Sequence, residues 1–168
     1  MIDMTGSSGG GQFIKAQIVP MEGDKRRSPI ECMFNPREYA ISRSVNWKTE
    51  SNDNNDTGNK VYLGGSPAKL TLELFFDTYA RRQSAGVVED VRKYTGALWA
   101  LSEMAAGDGA AGKGSIKKGK PTSVLFQWGQ TWHFQAVITD IEQQFTLFMP
   151  DGTPVRSVMK TTFEQADL

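Results

Sequence analysis

The feature that most constrains this chain is the run from Thr122 to Phe163, a long β-alternation around one tight turn. Val124, Phe126 and Trp128 recur every second residue, and Trp132, Phe134, Ala136 and Ile138 follow with the same period. After Pro150-Asp151-Gly152-Thr153-Pro154 comes a partner run in which Val155, Met159 and Phe163 share a face. A strand points successive side chains to opposite sides of its sheet, so a period of two is what a half-buried strand requires. Asp-Gly between two such runs is a strong hairpin signal. Strands this long exceed the needs of a small domain. They predict a surface built to join other copies or other proteins.

Composition narrows the function. At 168 residues a single β domain over 12–168 is expected, behind a flexible Gly/Ser-rich arm over 1–11. Lys+Arg and Asp+Glu both number 19, so the formal net charge is zero. That argues against a general nucleic-acid or membrane-surface binder, which carries a basic excess. The segment Met1 to Gly11 lacks the basic and apolar regions of a signal peptide. No apolar run approaches the ~20 residues of a membrane span, so direct membrane insertion is not expected. The single cysteine, Cys32, excludes an internal disulfide and fits synthesis in the cytoplasm.

Phe13 to Val19 alternates and reads as a first strand, Asp24 to Ser28 as a charged turn, and Pro29 to Phe34 as a second strand. Asn35-Pro36 breaks it, because proline lacks a donor and restricts the residue before it. Ala40 to Trp47 alternates again through Ile41, Val45 and Trp47. Thr49 to Lys60 is polar and rich in Asn and Asp, which predicts a mobile loop. Lys69 to Phe76 is the clearest strand, with Leu70, Leu72, Leu74 and Phe76 on one face and Lys69, Thr71 and Glu73 on the other. Val87, Val91, Tyr94, Leu98 and Leu101 make one helical stripe, predicting a helix from Val87 to about Met104. A Gly/Ala-rich stretch and a basic loop, Lys113 to Lys120, lead into Pro121. The sum is six or seven strands and one helix: a mainly β, α+β fold, an antiparallel barrel or sandwich with one packed helix. Strands, helix, strands is not the regular βα alternation of a doubly wound fold.

Chemistry is sparse. His133 lies between Trp132 and Phe134 with no second histidine to share a metal, and reads as an ordinary strand residue. Cys32, beside Met33 and Phe34, reads as a small buried hydrophobe without a local base. Gly107 to Lys113 has the outline of a phosphate-binding loop, but Gly114 stands where the magnesium-holding Ser/Thr belongs, and the segment follows a helix. Asp53, Asn55, Thr57 and Gly58 open like a calcium loop, yet the closing glutamate position is Gly64. Asp140 and Glu142 share a strand face without a recognisable pocket, so a polar sheet face is the better reading. Lys113, Lys117, Lys118 and Lys120 form the only basic cluster. It lacks interleaved aromatics for base stacking and suits an acidic partner better than nucleic acid. Trp47, Trp99, Trp128 and Trp132 read as core. No catalytic, metal-binding or cofactor-binding residue is expected, nor a small-molecule substrate.

Five blocks, in order, carry a resemblance. They are Phe34-Asn35-Pro36 with Tyr39 and Ile41-Ser42 up to Trp47, and Leu70 to Leu74 running into Phe75-Phe76-Asp77-Thr78-Tyr79. Then come Asp90 to Thr95 with Leu98 and Leu101, Pro121 with Val124 to Gly129, and Phe145 to Phe148 followed by Gly152 to Ser157. With this order and spacing the chain resembles the tube proteins of contractile injection systems, phage-tail-like particles that drive a spiked tube through a membrane. It most resembles the short tube-like subunit that links the spike hub to the inner tube. The resemblance implies a structural, non-enzymatic baseplate component and a six-fold ring around a lumen. Its partners would be other copies, the spike or hub protein, the inner tube protein and other baseplate subunits. The particle would be cytoplasmic or released.

On this reading Lys69, Thr71, Glu73, Asp140, Glu142, Arg156 and Lys160 are the candidate interface or lumen residues. The candidate partner loops carry Asp53, Asn55, Lys113, Lys117 and Lys118. Relatives of the adaptor type often carry a LysM-type domain after the tube domain, whereas this sequence stops at Leu168, directly after the last expected strand. A minimal adaptor, a tube-initiator or inner-tube layer and a piece of a longer protein stay open. A small closed barrel holding an apolar ligand or single-stranded nucleic acid is the alternative from another class. A hydrolase built from His133, Cys32 and Asp140 is a third.

Overall fold

The computed structural model describes residues 14–22, 25–52, 55–80, 87–103, 121–130 and 132–166. Ten strands and one helix are described: β1 (Gln17–Glu22), β2 (Lys25–Arg26), β3 (Ile30–Glu31), β4 (Tyr39–Ser42), β5 (Val45–Asn52), β6 (Asn55–Gly65), β7 (Lys69–Asp77), α1 (Arg92–Ser102), β8 (Ser123–Trp128), β9 (Trp132–Phe148) and β10 (Pro154–Gln165). All pairings are antiparallel. Eight strands form one sheet in the order β2-β1-β8-β9-β10-β7-β4, with β3 also on β1, and β5-β6 form a second.

The long hairpin read from the sequence is present as β9 and β10. Its turn holds Gly152 at φ 86°, a left-handed conformation that favours glycine. Thr153 N–H donates to Asp151 Oδ1 (2.9 Å) and Met149 N–H to Thr153 O (2.8 Å), closing the loop. The expected inward residues of both strands, from Ala136 and Ile138 to Val155, Met159 and Phe163, are buried.

The sheet curls without closing into a barrel among the described residues. Tyr39 on β4 stacks on Trp132 of β9 at 4.8 Å, although β7 and β10 lie between those strands in the sheet. Past β3, Met33 Sδ accepts the Asp77 N–H (3.2 Å) and Phe34 meets Phe75 (5.3 Å), so side chains bridge the two ends where no ladder does. Asn35 pins this end further, its amide donating to Ile14 O and its carbonyl accepting from Ala16 N, both at 2.8 Å. The core fills the concave side with Leu70, Leu72, Leu74, Phe76, Phe126 and Phe163, and α1 adds Leu98 and Leu101.

Four expectations change. The helix begins at Arg92, not Val87, which is 70% exposed; Val91 ahead of it is buried, with its N–H donating to Pro154 O (3.0 Å). Ala40 to Trp47 is two strands in two sheets rather than one. The polar run Thr49 to Lys60 is not a loop: it forms the arms of the β5–β6 hairpin, with Thr49 opposite Lys60 and Asn52 opposite Asn55. Cross-strand pairing satisfies the backbone there whatever the side chains, which polarity alone does not reveal. The strand count rises accordingly. The glycine-rich and basic segments over 104–120 lie outside the described residues, as does Asp53 of the calcium-like run, whereas Asn55, Thr57, Gly58 and Gly64 are strand residues of β6.

Candidate functional site

The face of β7, β10 and β9 opposite the core gathers the residues singled out from sequence. Register does this, since directly opposed residues share a face. Thr71 opposes Thr162, which opposes Asp140; Glu73 opposes Lys160, which opposes Glu142; Lys69 opposes Glu164; and Asp77 opposes Arg156. Lys69, Thr71, Glu73, Asp140, Glu142, Arg156 and Lys160 therefore form one polar surface across three adjacent strands. Lys69 Nζ reaches Glu164 Oε2 at 3.5 Å, and the Thr71 and Thr162 hydroxyls lie 3.4 Å apart. Arg156 crosses to Asp77, whose carboxylate is almost fully buried. Arg156 also lies 6.0 Å from the centre of the Phe75 ring.

A β-bulge makes this face possible. Phe163 opposes Ile138 but Thr162 opposes Asp140, leaving Thr139 as the extra residue. The alternation switches phase there, so Ile138 stays in the core while Asp140 and Glu142 turn to the polar side. The sequence run from Trp132 to Glu142 carries no mark of the switch beyond the change from apolar to acidic residues.

Two of the sheet edges that lack a strand partner among the described residues border the polar face. β8 covers β9 only from Trp132 to Ala136, which leaves the outer edge of β9 from Val137 to Phe148. The other is the outer edge of β4, where Tyr39 to Ser42 are all exposed. A groove of about 410 Å³ opens beside that edge, lined by Glu38, Tyr39, Thr71, Leu72, Glu73 and Lys160.

β4–β7 and β5–β6 are two lengths of one hairpin, bent at Ser44 and Ser66. Ser66 N–H donates to Ser44 O (2.9 Å), Ser44 N–H to Ser66 Oγ (3.1 Å), and Arg43 Nε to Ser66 O (3.1 Å). Beyond the bend the arm leaves the core. It exposes Val45, Trp47, Tyr62 and Leu63, and Trp47 packs edge-on to Tyr62 at 5.4 Å. Trp47, expected in the core, is 55% exposed, whereas Trp128 and Trp132 are half-buried against the core. Of the expected partner loops, Asn55 starts β6 as a strand residue; Asp53, Lys113, Lys117 and Lys118 lie outside the described residues.

The groups considered for chemistry stand apart. His133 is exposed on β9 opposite Gln127. Cys32 is buried, and desolvation pushes its thiol up to about 12. No cluster of three or more His, Cys, Asp or Glu among the described residues could hold a metal ion. No described helix is long and apolar enough to cross a membrane.

A family model described as contractile injection system tube protein matches residues 12–167, nearly the whole chain. No curated protein matches it.

Proposed function

The chain belongs to the contractile injection system tube protein family, and from that premise we propose that it is a tube-like adaptor ring of the baseplate, joining the spike or hub to the inner tube. The family points to a structural role within an injection particle, in assembly with itself and other components of the system. The observation that carries the finer reading is the polar face of β7, β10 and β9, wettable across three strands and backed by the core. A lumen wall needs such a face.

Two different unpartnered edges on one chain suit a head-to-tail contact, which closes into a ring when the rotation allows. Six copies joined from β9 to β4 would continue the sheet around a lumen through which a payload is translocated. The projecting β5–β6 arm, with aromatic side chains clear of its own core, suits contact with the adjoining layer. That favours an adaptor position between layers over a uniform inner-tube position. The test is a reconstruction of the intact particle. A ring of this chain on the tube axis beside the hub, with Lys160 and Glu142 facing the lumen, supports the reading; density confined to another place, or none on the axis, overturns it.

A further inference from the structure

We propose that the lysine-rich segment 113–120 of one copy docks in the groove beside β4 of a second copy, so that charge sets which edge meets which in the ring. This rests on the ring reading above. Segment 113–120 carries four lysines and no acid, and the chain's 19 bases and 19 acids balance only with these lysines included. The rest of the molecule is therefore net acidic.

The groove is one place where that excess is unspent. Glu38 and Glu73 are exposed on its wall, and neither forms an ion pair with a described residue. Its one base, Lys160, stands between Glu73 and Glu142 in its cross-strand row.

Position favours a second copy as the source. The segment leads into Pro121 and β8, which starts at Ser123, and the next residue, Val124, opposes Ala136. The described chain thus resumes, at Pro121, beside the point where the unpartnered edge of β9 begins. A copy joined there by its β4 edge brings Glu38, one residue ahead of β4, alongside. Eight extended residues reach about 26–29 Å, enough to cross one strand and enter the groove.

The test uses the full-length chain co-expressed with its particle, reading its copies per particle by quantitative mass spectrometry. Two paired variants are made, Lys117→Glu with Lys118→Glu and Glu38→Lys with Glu73→Lys. Each alone should lower incorporation at least about tenfold, a change of about 1.4 kcal/mol per contact if one contact decides it. Isolated variants should remain folded, with the Glu73→Lys pair melting only modestly lower because the new lysine faces Lys160 across the strands. Co-expressing the two pairs should restore incorporation, because alternating copies then match every segment to an opposite groove. Undiminished incorporation of either pair overturns the proposal. So does rescue by all four changes in one chain without rescue by co-expression, which would place the contact within a copy. A wild-type chain absent from particles would instead defeat the ring reading itself.

Discussion

Arg156 and Asp77 oppose each other on β10 and β7, and Arg156 donates to Asp77 Oδ2 from both Nε (2.9 Å) and Nη2 (2.8 Å). Oδ1 of the same carboxylate accepts the Ala80 N–H at 2.9 Å. The carboxylate side chain is 4% exposed and that of its partner 37%, so the pair closes the end of β7 at the rim of the polar face. Arg156→Met strands a buried carboxylate. The expected loss is about 2–4 kcal/mol, below a fully buried pair because water reaches the guanidinium. Replacing both, as Asp77→Leu with Arg156→Met, should recover part of that loss, since no uncompensated charge remains. Denaturant midpoints measure both; a single variant no less stable than the wild type would show that the pair contributes nothing net.

The β9–β10 turn gives a second test. A Cβ on Gly152 would meet nothing within 4 Å, so its φ of +86° is the only obstacle to a side chain. Gly152→Val should cost about 1–2 kcal/mol from backbone strain alone, and Gly152→Asn less, because asparagine tolerates this region. Asp151 has its carboxyl held below the usual 3.8, mainly by the Thr153 backbone N–H. A depressed folded-state value adds stability above the unfolded carboxylate range and loses it as pH falls through the folded value. The deficit of Asp151→Ala at neutral pH should therefore shrink in acid below pH 3.8. A deficit independent of pH would mean the contact is not ionic.

These residues also show what the sequence could and could not reveal. Alternation found the core faces of β7, β9 and β10, because a buried apolar face must repeat at two. The same reasoning placed Asp140 and Glu142 on a polar face. It could not see that a bulge at Thr139 puts them on the face of Lys160 and Glu73, because register belongs to strand pairs. Asn35 was legible as a breaker beside Pro36, yet its hydrogen bonds to Ile14 and Ala16 depend on the returning chain. Thr49 to Lys60 misled for a related reason. A hairpin clear of the core needs no apolar period, so its polar sequence looks like a loop.

Trp47 separates folding from assembly. It touches Tyr62 across the arm but lies outside the core. Trp47→Ser should change the isolated chain by less than about 1 kcal/mol, the scale of an aromatic pair at an exposed site. On the layer-contact reading it should sharply reduce recovery of the chain in purified particles. Normal incorporation would remove the arm from the interface, whereas a large drop in melting temperature would show that it supports the fold instead.

Cys32 supplies the basic-pH prediction. Its side chain lies in the core cluster at 3% exposure, and its backbone N–H donates to Ala16 O at 2.9 Å. Burial dominates its titration, raising the thiol from 9.0 to about 12 against a smaller opposing pull from Lys15. The native thiol should resist alkylation at mildly basic pH and react fully once denaturant exposes it. The unfolded chain releases this proton near 9.0, while the folded chain holds it to about 12. Between those values the unfolded state binds fewer protons, so stability falls as pH rises. Cys32→Ala lacks this titration: it should begin less stable than the wild type, through the cavity it leaves, and the gap should narrow above pH 9.0. Unfolding midpoints for both proteins across that range decide the matter; a constant gap, or rapid native alkylation, would mean that the thiol reaches water.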